Sequence, residues 1–260
     1  MTPYRLLRRT VGRLLRSVPW IRRQMSISCD YEVVSADEAR RRQAGGWHRP
    51  ITIYRQDRAY QSLLDDMRRG YPRIDLATAA KAVDRAGIPT PSILEIGCGS
   101  GYYSEILETL AASRIDYSGI DYSAAAVKRA QKRYPGGRFA IGDATALAFP
   151  GQSFDIAFNG VSLMHILDYE KAIAESARVA RKAVIFHSTP VFGSHPTTYL
   201  HKYAYGAPVV EIVFNRDALI ACFERSGLRL VESWRTIDYD VSAVTGALSH
   251  AETFYCEKRS

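Results

Sequence analysis

Three glycines stand at every second residue in the stretch Glu95-Ile-Gly-Cys-Gly-Ser-Gly-Tyr, at positions 97, 99 and 101. Glycine lets a main chain turn tightly and approach a ligand with no Cβ in the way. Ile93, Leu94 and Ile96 ahead of the turn read as a buried strand, while Ile106, Leu107 and Leu110 behind it follow helical spacing. A strand, a glycine turn and a helix start present free N–H groups to a ligand, and these are the parts of an adenosine-cofactor site. A dinucleotide fingerprint would need its third glycine at position 102, where the chain carries Tyr102.

Polar residues recur where later strands should end. Asp121 closes a second predicted strand in Gly-Ile-Asp-Tyr-Ser, 26 residues after Glu95. A carboxylate there can accept both hydroxyls of a ribose. Asp143 closes a third strand in Ile-Gly-Asp-Ala-Thr, and Asn159 a fourth in Phe-Asn-Gly-Val. Each alone could be a surface group or a helix cap. In register with the glycine turn they describe one site, because a twisted parallel sheet binds ligands at the carboxyl ends of its strands. His165, in Ser-Leu-Met-His-Ile, and His187, at the end of a fifth strand, are the candidate proton acceptors. An imidazole with a pKa near 6.5 can take a proton from a hydroxyl, though either could instead be structural.

The elements that must position these groups follow from periodicity. Helices are expected over 53–69 and 75–86, after a break at Gly45-Gly46. Strands at 117–120, 138–141, 154–158 and 183–186 alternate with helices at 123–134 and 169–180. Ser123 and Asn215 are placed to cap helices. Strands at 228–234 and 253–256 have only a loop between them and so should pair antiparallel. The long connection 188–214 carries His195, Tyr199, His201, Tyr203 and Tyr205 and reads as a substrate wall, with an extra helix over 197–205 as its plain form.

The pattern Glu95-x-Gly97-x-Gly99-x-Gly101, with Asp121 and Asp143 at their distances, resembles class I S-adenosylmethionine-dependent methyltransferases of the small-molecule type with a methyltransferase-11/25-like domain. The likeness is close over residues 92–190 and looser elsewhere. It implies an α/β fold: a doubly wound, seven-stranded Rossmann-like sheet, last strand antiparallel, with an N-terminal helical extension. It also implies S-adenosyl-L-methionine as cofactor. By this resemblance Glu95, Gly97, Cys98, Gly99 and Gly101 form the cofactor turn, and Asp121 and Tyr122 hold the ribose end. Asp143 or the Ala144 backbone would meet the adenine amino group, and Asn159 the methionine half. Tyr54, Tyr60 and Arg73 become lid candidates. The chain divides into a basic tail (1–28), a helical cap (29–91) and the methyltransferase domain (92–260), with 188–214 as a substrate-side insertion. No metal is implied.

The acceptor is constrained by what is missing. Amine methylases of bases or protein side chains often carry Asp/Asn-Pro-Pro-Tyr/Phe after the fourth strand, where this chain has Asn159-Gly160-Val161-Ser162. The net charge of +8 belongs to the start: residues 1–23 hold seven arginines and no acid, leaving 28 basic against 27 acidic residues. A neutral body argues against nucleic acid in the cleft. The expectation is O-methylation of a small molecule, whether glycan, phenolic or lipid-linked. The alternatives are an RNA or protein methyltransferase that uses its basic tail, and a cofactor-binding protein without turnover. Four scattered cysteines suit a cytoplasmic setting. Leu7, Val11, Leu14, Val18 and Ile21 form a helical apolar stripe among arginines, a pattern suited to peripheral membrane contact.

Overall fold

The computed structural model describes residues 18–43 and 45–259. Most of the arginine-rich stripe lies outside the described residues; its last turns form α1 (Pro19–Met25). Next come β1 (Ser28–Val34), α2 (Ala36–Arg42) and a 3-10 turn at Gly46–His48, then α3 (Pro50–Arg68) and α4 (Ile74–Asp84). Strands and helices then alternate through β2 (Ser92–Ile96), α5 (Tyr102–Leu110), β3 (Asp116–Asp121), α6 (Ala124–Arg133), β4 (Arg138–Ile141), β5 (Phe154–Gly160), α7 (Tyr169–Val179) and β6 (Ala180–Phe192). A hairpin of β7 (Thr198–Ala204) and β8 (Ala207–Asn215) precedes α8 (Arg216–Arg225), β9 (Leu228–Asp238), α9 (Ser242–Thr245) and β10 (Ser249–Lys258). Ser123 and Asn215 cap α6 and α8 as expected, accepting from the N–H groups of Ala126 and Ala218.

β4, β3, β2, β5 and β6 lie side by side and parallel. β10 runs antiparallel between β6 and β9 and completes the doubly wound sheet with its antiparallel last strand. Successive β2 side chains serve opposite layers. Leu94 and Ile96 share a buried cluster with Ile173 and Ala177 of α7 and Phe223 of α8. Ile93 shares a second cluster with Leu64, Leu76 and Ile106 of α3, α4 and α5. Each fully buried aliphatic side chain contributes about 1.5–3 kcal/mol relative to exposure.

The strand count departs from the expected seven. Among the described residues the sheet has ten strands, because β6 runs on to Phe192 and there pairs with β8. β8 carries β7, and β7 carries β1, all antiparallel. Residues 197–205 are therefore strand and turn, not an extra helix. The burial of Thr198–Ala204 alternates residue by residue. Thr198, Leu200, Lys202 and Ala204 face inward, and the aromatic run Tyr199, His201, Tyr203 takes the other phase. α3 is latched to α6 through its buried Asp57, which accepts from Arg129 Nε at 2.9 Å and Arg133 Nη1 at 2.8 Å.

Candidate active site

A cavity of about 830 Å³ lies along the carboxyl ends of the parallel strands, walled also by α3 and the β7–β8 hairpin. That volume suits a cofactor together with a small acceptor. Gly97, Gly99, Asp121, Asp143 and Gly160 contribute to its wall, so the sheet edge anticipated from sequence is brought together. All three turn glycines have positive φ: 81° at Gly97, 54° at Gly99 and 78° at Gly101. At Gly97 a Cβ would also overlap the Ser162 side chain, whose Oγ donates to the Ile96 carbonyl at 2.6 Å. Glycine is required there twice over.

Asp121 sits at the tip of β3, 8% exposed. Its Oδ2 accepts the Gly99 N–H at 2.9 Å and its Oδ1 the Ser123 N–H at 2.8 Å. Burial raises its pKa, and those two N–H groups oppose the rise. Each oxygen keeps a second lone pair for a hydroxyl. Asp143, exposed, uses one oxygen to hold the Thr145 N–H and hydroxyl at 2.8 Å each. Tyr122 and Ala144 line the same region, and His48 packs edge-on to the Tyr122 ring at 4.3 Å.

Other predicted residues stand elsewhere. Cys98 is buried with Val127, Ala130 and Phe139 beneath the turn and is not part of the cavity wall. Glu95 is fully buried, and the Tyr117 hydroxyl donates to its Oε2. Its Oε1 has no partner among the described residues, and a Cβ on Gly160 would strike it. Burial first, then the charge of Asp121, pushes the Glu95 carboxyl well above its ordinary range. Asn159 points into the α7 layer, where its Nδ2 donates to Ser176 Oγ at 3.2 Å. Its neighbour Gly160 is the residue that reaches the cavity. Of the lid candidates, Tyr60 and Arg73 line the cavity and Tyr54 does not. Tyr60 stacks on Tyr102 with ring centroids 4.1 Å apart, and Arg73 grips the buried Asp75 with two bonds of 2.6 Å.

The two histidines separate. His165 lines the cavity, with Nδ1 2.9 Å from the Val210 carbonyl and its ring 4.9 Å from that of Trp47. A carbonyl only accepts, so Nδ1 carries the hydrogen and Nε2 is the basic nitrogen of the neutral ring. Burial, the largest influence, lowers the His165 pKa. His187 is 1% exposed, away from the cavity wall, with Nδ1 2.8 Å from Thr253 Oγ1 and Nε2 3.3 Å from Ser188 Oγ. Burial takes its pKa down to about 4.

Backbone strain gathers here. Val161, Ser188 and Tyr205 adopt φ of 61°, 46° and 51°, and all three line the cavity. Such conformations cost about 1–3 kcal/mol each and persist where surrounding structure enforces them, characteristically at functional sites. Several wall residues were not singled out from sequence: Trp47, Ser162, Lys202 and Glu211. Gly45-Gly46 was a readable signal for the first, since a Cβ on Gly46 would collide with the Pro208 carbonyl and keep Trp47 from this position against β8. Glu211 also left a trace, a lone charge inside the apolar run Val209 to Phe214.

The residues present fit an adenosylated cofactor: a Cβ-free cradle, a buried carboxylate at the tip of the next strand, and a second carboxylate beyond it. A methyltransferase domain family matches residues 94–187. The demethylmenaquinone methyltransferase of Renibacterium salmoninarum is 34% identical over 122 residues, 45% of this chain and 50% of that one. The phthiotriol/phenolphthiotriol dimycocerosates methyltransferase of Mycobacterium leprae is 37% identical over 91 residues, 34% of this chain and 33% of that one. The chain thus spans half or less of the length of these curated relatives. Among solved structures, the 1,6-didemethyltoxoflavin-N1-methyltransferase of Burkholderia thailandensis, which holds S-adenosylhomocysteine, superposes with a TM-score of 0.54 at 17% identity, covering 90% of this chain and 94% of that one. A methyltransferase of Methanosarcina mazei gives 0.53 at 17% identity over 68% and 96%. With the glycine turn, the strand order and the acidic strand tips in agreement, residues 94–187 carry a methyltransferase domain of the class I S-adenosylmethionine-dependent type, whose cofactor is S-adenosylmethionine.

Proposed function

We propose that the protein transfers a methyl group to a hydroxyl of a small, largely apolar molecule, with His165 as proton acceptor. The observation that carries this reading is the shared cavity: cofactor-type residues and a neutral, oriented imidazole line one chamber. S-adenosylmethionine, when bound, supplies an electrophilic methyl carbon. The chain's own residues do the rest. Gly97 and Gly99 admit the cofactor's approach, Asp121 holds the ribose hydroxyls, and Asp143 with Ala144 meets the adenine edge. Tyr60 and Trp47 exclude water and give the acceptor flat apolar contacts. His165 Nε2 takes the hydroxyl proton as the new bond forms, while the Val210 carbonyl fixes the ring. Positioning supplies much of the acceleration, with the base adding about 10²–10⁴-fold.

Small-molecule and lipid-type acceptors in the names of the two curated relatives support this choice of class. No helix among the described residues is long and apolar enough to cross a membrane. Contact with an anionic membrane through residues 1–23, in a cytoplasmic setting, is proposed on the charge of that segment. The test is incubation with methyl-labelled S-adenosylmethionine and a set of phenols, quinols and glycans. Label in a methyl ether, stable to base and released as methyl iodide by hydriodic acid, is expected. Label only at carbon or nitrogen would move the reaction to another acceptor atom.

A further inference from the structure

Lys202 of β7 and Glu211 of β8 form an ion pair in the cavity wall, with side chains 7% and 1% exposed. Lys202 pairs with Val209 across the hairpin, so Glu211, two residues on, is its diagonal neighbour on the same face. Burying two charges is costly, and replacing such a pair by apolar residues is often neutral or stabilising. Stability alone therefore gives little reason for it. A second observation points to a ligand. Glu211 Oε1 is buried in that wall with no hydrogen-bond partner among the described residues, and so is the Tyr239 hydroxyl nearby. The Lys202 ammonium lies 5.0 Å from the Tyr31 ring centroid and 5.8 Å from that of Tyr239, and both rings face the same cavity.

We infer that the Lys202–Glu211 pair is the acceptor anchor, built to hold a neutral hydroxyl carried on a planar ring. Glu211 Oε1 only accepts, so the bound group must donate. The Lys202 ammonium only donates, so the same group must also accept. One hydroxyl oxygen does both. A carboxylate or phosphate would face the Glu211 charge, and an ammonium would face Lys202. The tyrosine rings around the pair favour a flat partner. This rests on the methyl-transfer reading and adds to it the chemical class of the group that seats the acceptor. The pair selects and orients, and His165 remains the base.

Calorimetric titration of the full chain, saturated with S-adenosylhomocysteine, tests the anchor with 2-naphthol, 2-naphthoate and 2-methoxynaphthalene as probes. The naphthol should bind at least about tenfold more tightly than the other two, since a site with polar partners rejects an analogue that leaves them unpaired. Glu211→Gln leaves the Lys202 charge alone and should shift preference towards naphthoate by about tenfold. The double variant Lys202→Met/Glu211→Leu removes both charges together and so avoids an unpaired buried ion. It should bind the three probes alike while keeping S-adenosylhomocysteine affinity within about threefold of wild type. Equal or absent binding of the three probes by wild type, or a naphthol preference surviving in the double variant, overturns the anchor alone. A wild-type chain that does not bind S-adenosylhomocysteine would overturn the methyl-transfer reading and the anchor with it.

Discussion

His165 Nδ1 lies 2.9 Å from the carbonyl oxygen of Val210, so a residue of the β7–β8 hairpin sets the tautomer of the imidazole in the 3-10 turn that follows β5. Because burial lowers this pKa from its ordinary 6.5, the ring is neutral, and able to accept a proton, at neutral pH. His165→Ala is expected to lower kcat by about 10²–10⁴-fold. S-adenosylhomocysteine affinity should stay within a few-fold of wild type. In wild type the acid limb of kcat should fall below pH 6.5, since the active form is lost as pH drops through a depressed pKa. Full turnover in the variant, or an acid limb above that value, would remove His165 as the base.

Asp121 joins the glycine turn to the start of α6 by accepting from Gly99 and Ser123. Asp121→Asn, which keeps the shape, should weaken S-adenosylhomocysteine binding by roughly 1.5–3 kcal/mol through loss of charge-assisted hydrogen bonds. Asp121→Ala should in addition lower Tm without ligand, because two N–H groups lose their acceptor. Calorimetry and thermal melts check both. Unchanged affinity in Asp121→Asn would show that this carboxylate does not hold the cofactor.

Glu95 should be visible in the pH dependence of stability. Its folded pKa is raised by burial, so the folded chain keeps a proton that the unfolded chain releases above its ordinary 4.5. Wild-type stability therefore falls as pH rises through that window, and Glu95→Gln escapes the fall. The variant's Tm advantage should be larger at pH 8 than at pH 5. A constant difference across that range would mean that Glu95 is ionised in the fold.

His187 is expected to serve stability. With both ring nitrogens tied to Thr253 and Ser188, His187→Ala should cost about 2–4 kcal/mol in urea melts and leave the kcat of folded enzyme unchanged. Its folded pKa is depressed to about 4. Its contribution is thus present above the unfolded value of about 6.5 and is lost as pH falls towards 4. A large kcat loss in a well-folded variant would contradict this assignment.

Of the tail arginines, Arg22 and Arg23 lie among the described residues, and both have internal partners. Arg22 and Arg23 both pair with Asp30, and Arg23 lies 4.1 Å from the Tyr203 ring centroid. Deleting residues 1–17 spares these contacts and should leave cofactor binding intact while reducing cosedimentation with anionic vesicles severalfold at low salt. Equal sedimentation of both forms would rule out the tail as a membrane contact.

The glycine turn and its flanking elements were legible because their parts are local. Strand, glycine turn and helix start are contiguous from Ser92 to Leu110, and Gly97, Gly99 and Gly101 state in sequence the positive φ they adopt. Asp121 and Asp143 follow from counting strands. Which neighbour faces the cavity was decided by tertiary structure, because strand side chains alternate and a shift of one residue reverses the face. Gly160 therefore reaches the cavity while Asn159 turns to Ser176. In β6, Ser188 lines the wall, and His187 packs edge-on to Tyr103, with ring centroids 5.4 Å apart. The hairpin follows the same rule: Tyr199, His201 and Tyr203 occupy one phase of β7 and Lys202 the other. Lys202 and Glu211 are paired only by the β7–β8 register, and their meeting with His165 depends on β6 running far enough to carry that hairpin over the sheet edge. No local pattern encodes a contact between segments 45 residues apart such as His165 and Val210; packing alone created it.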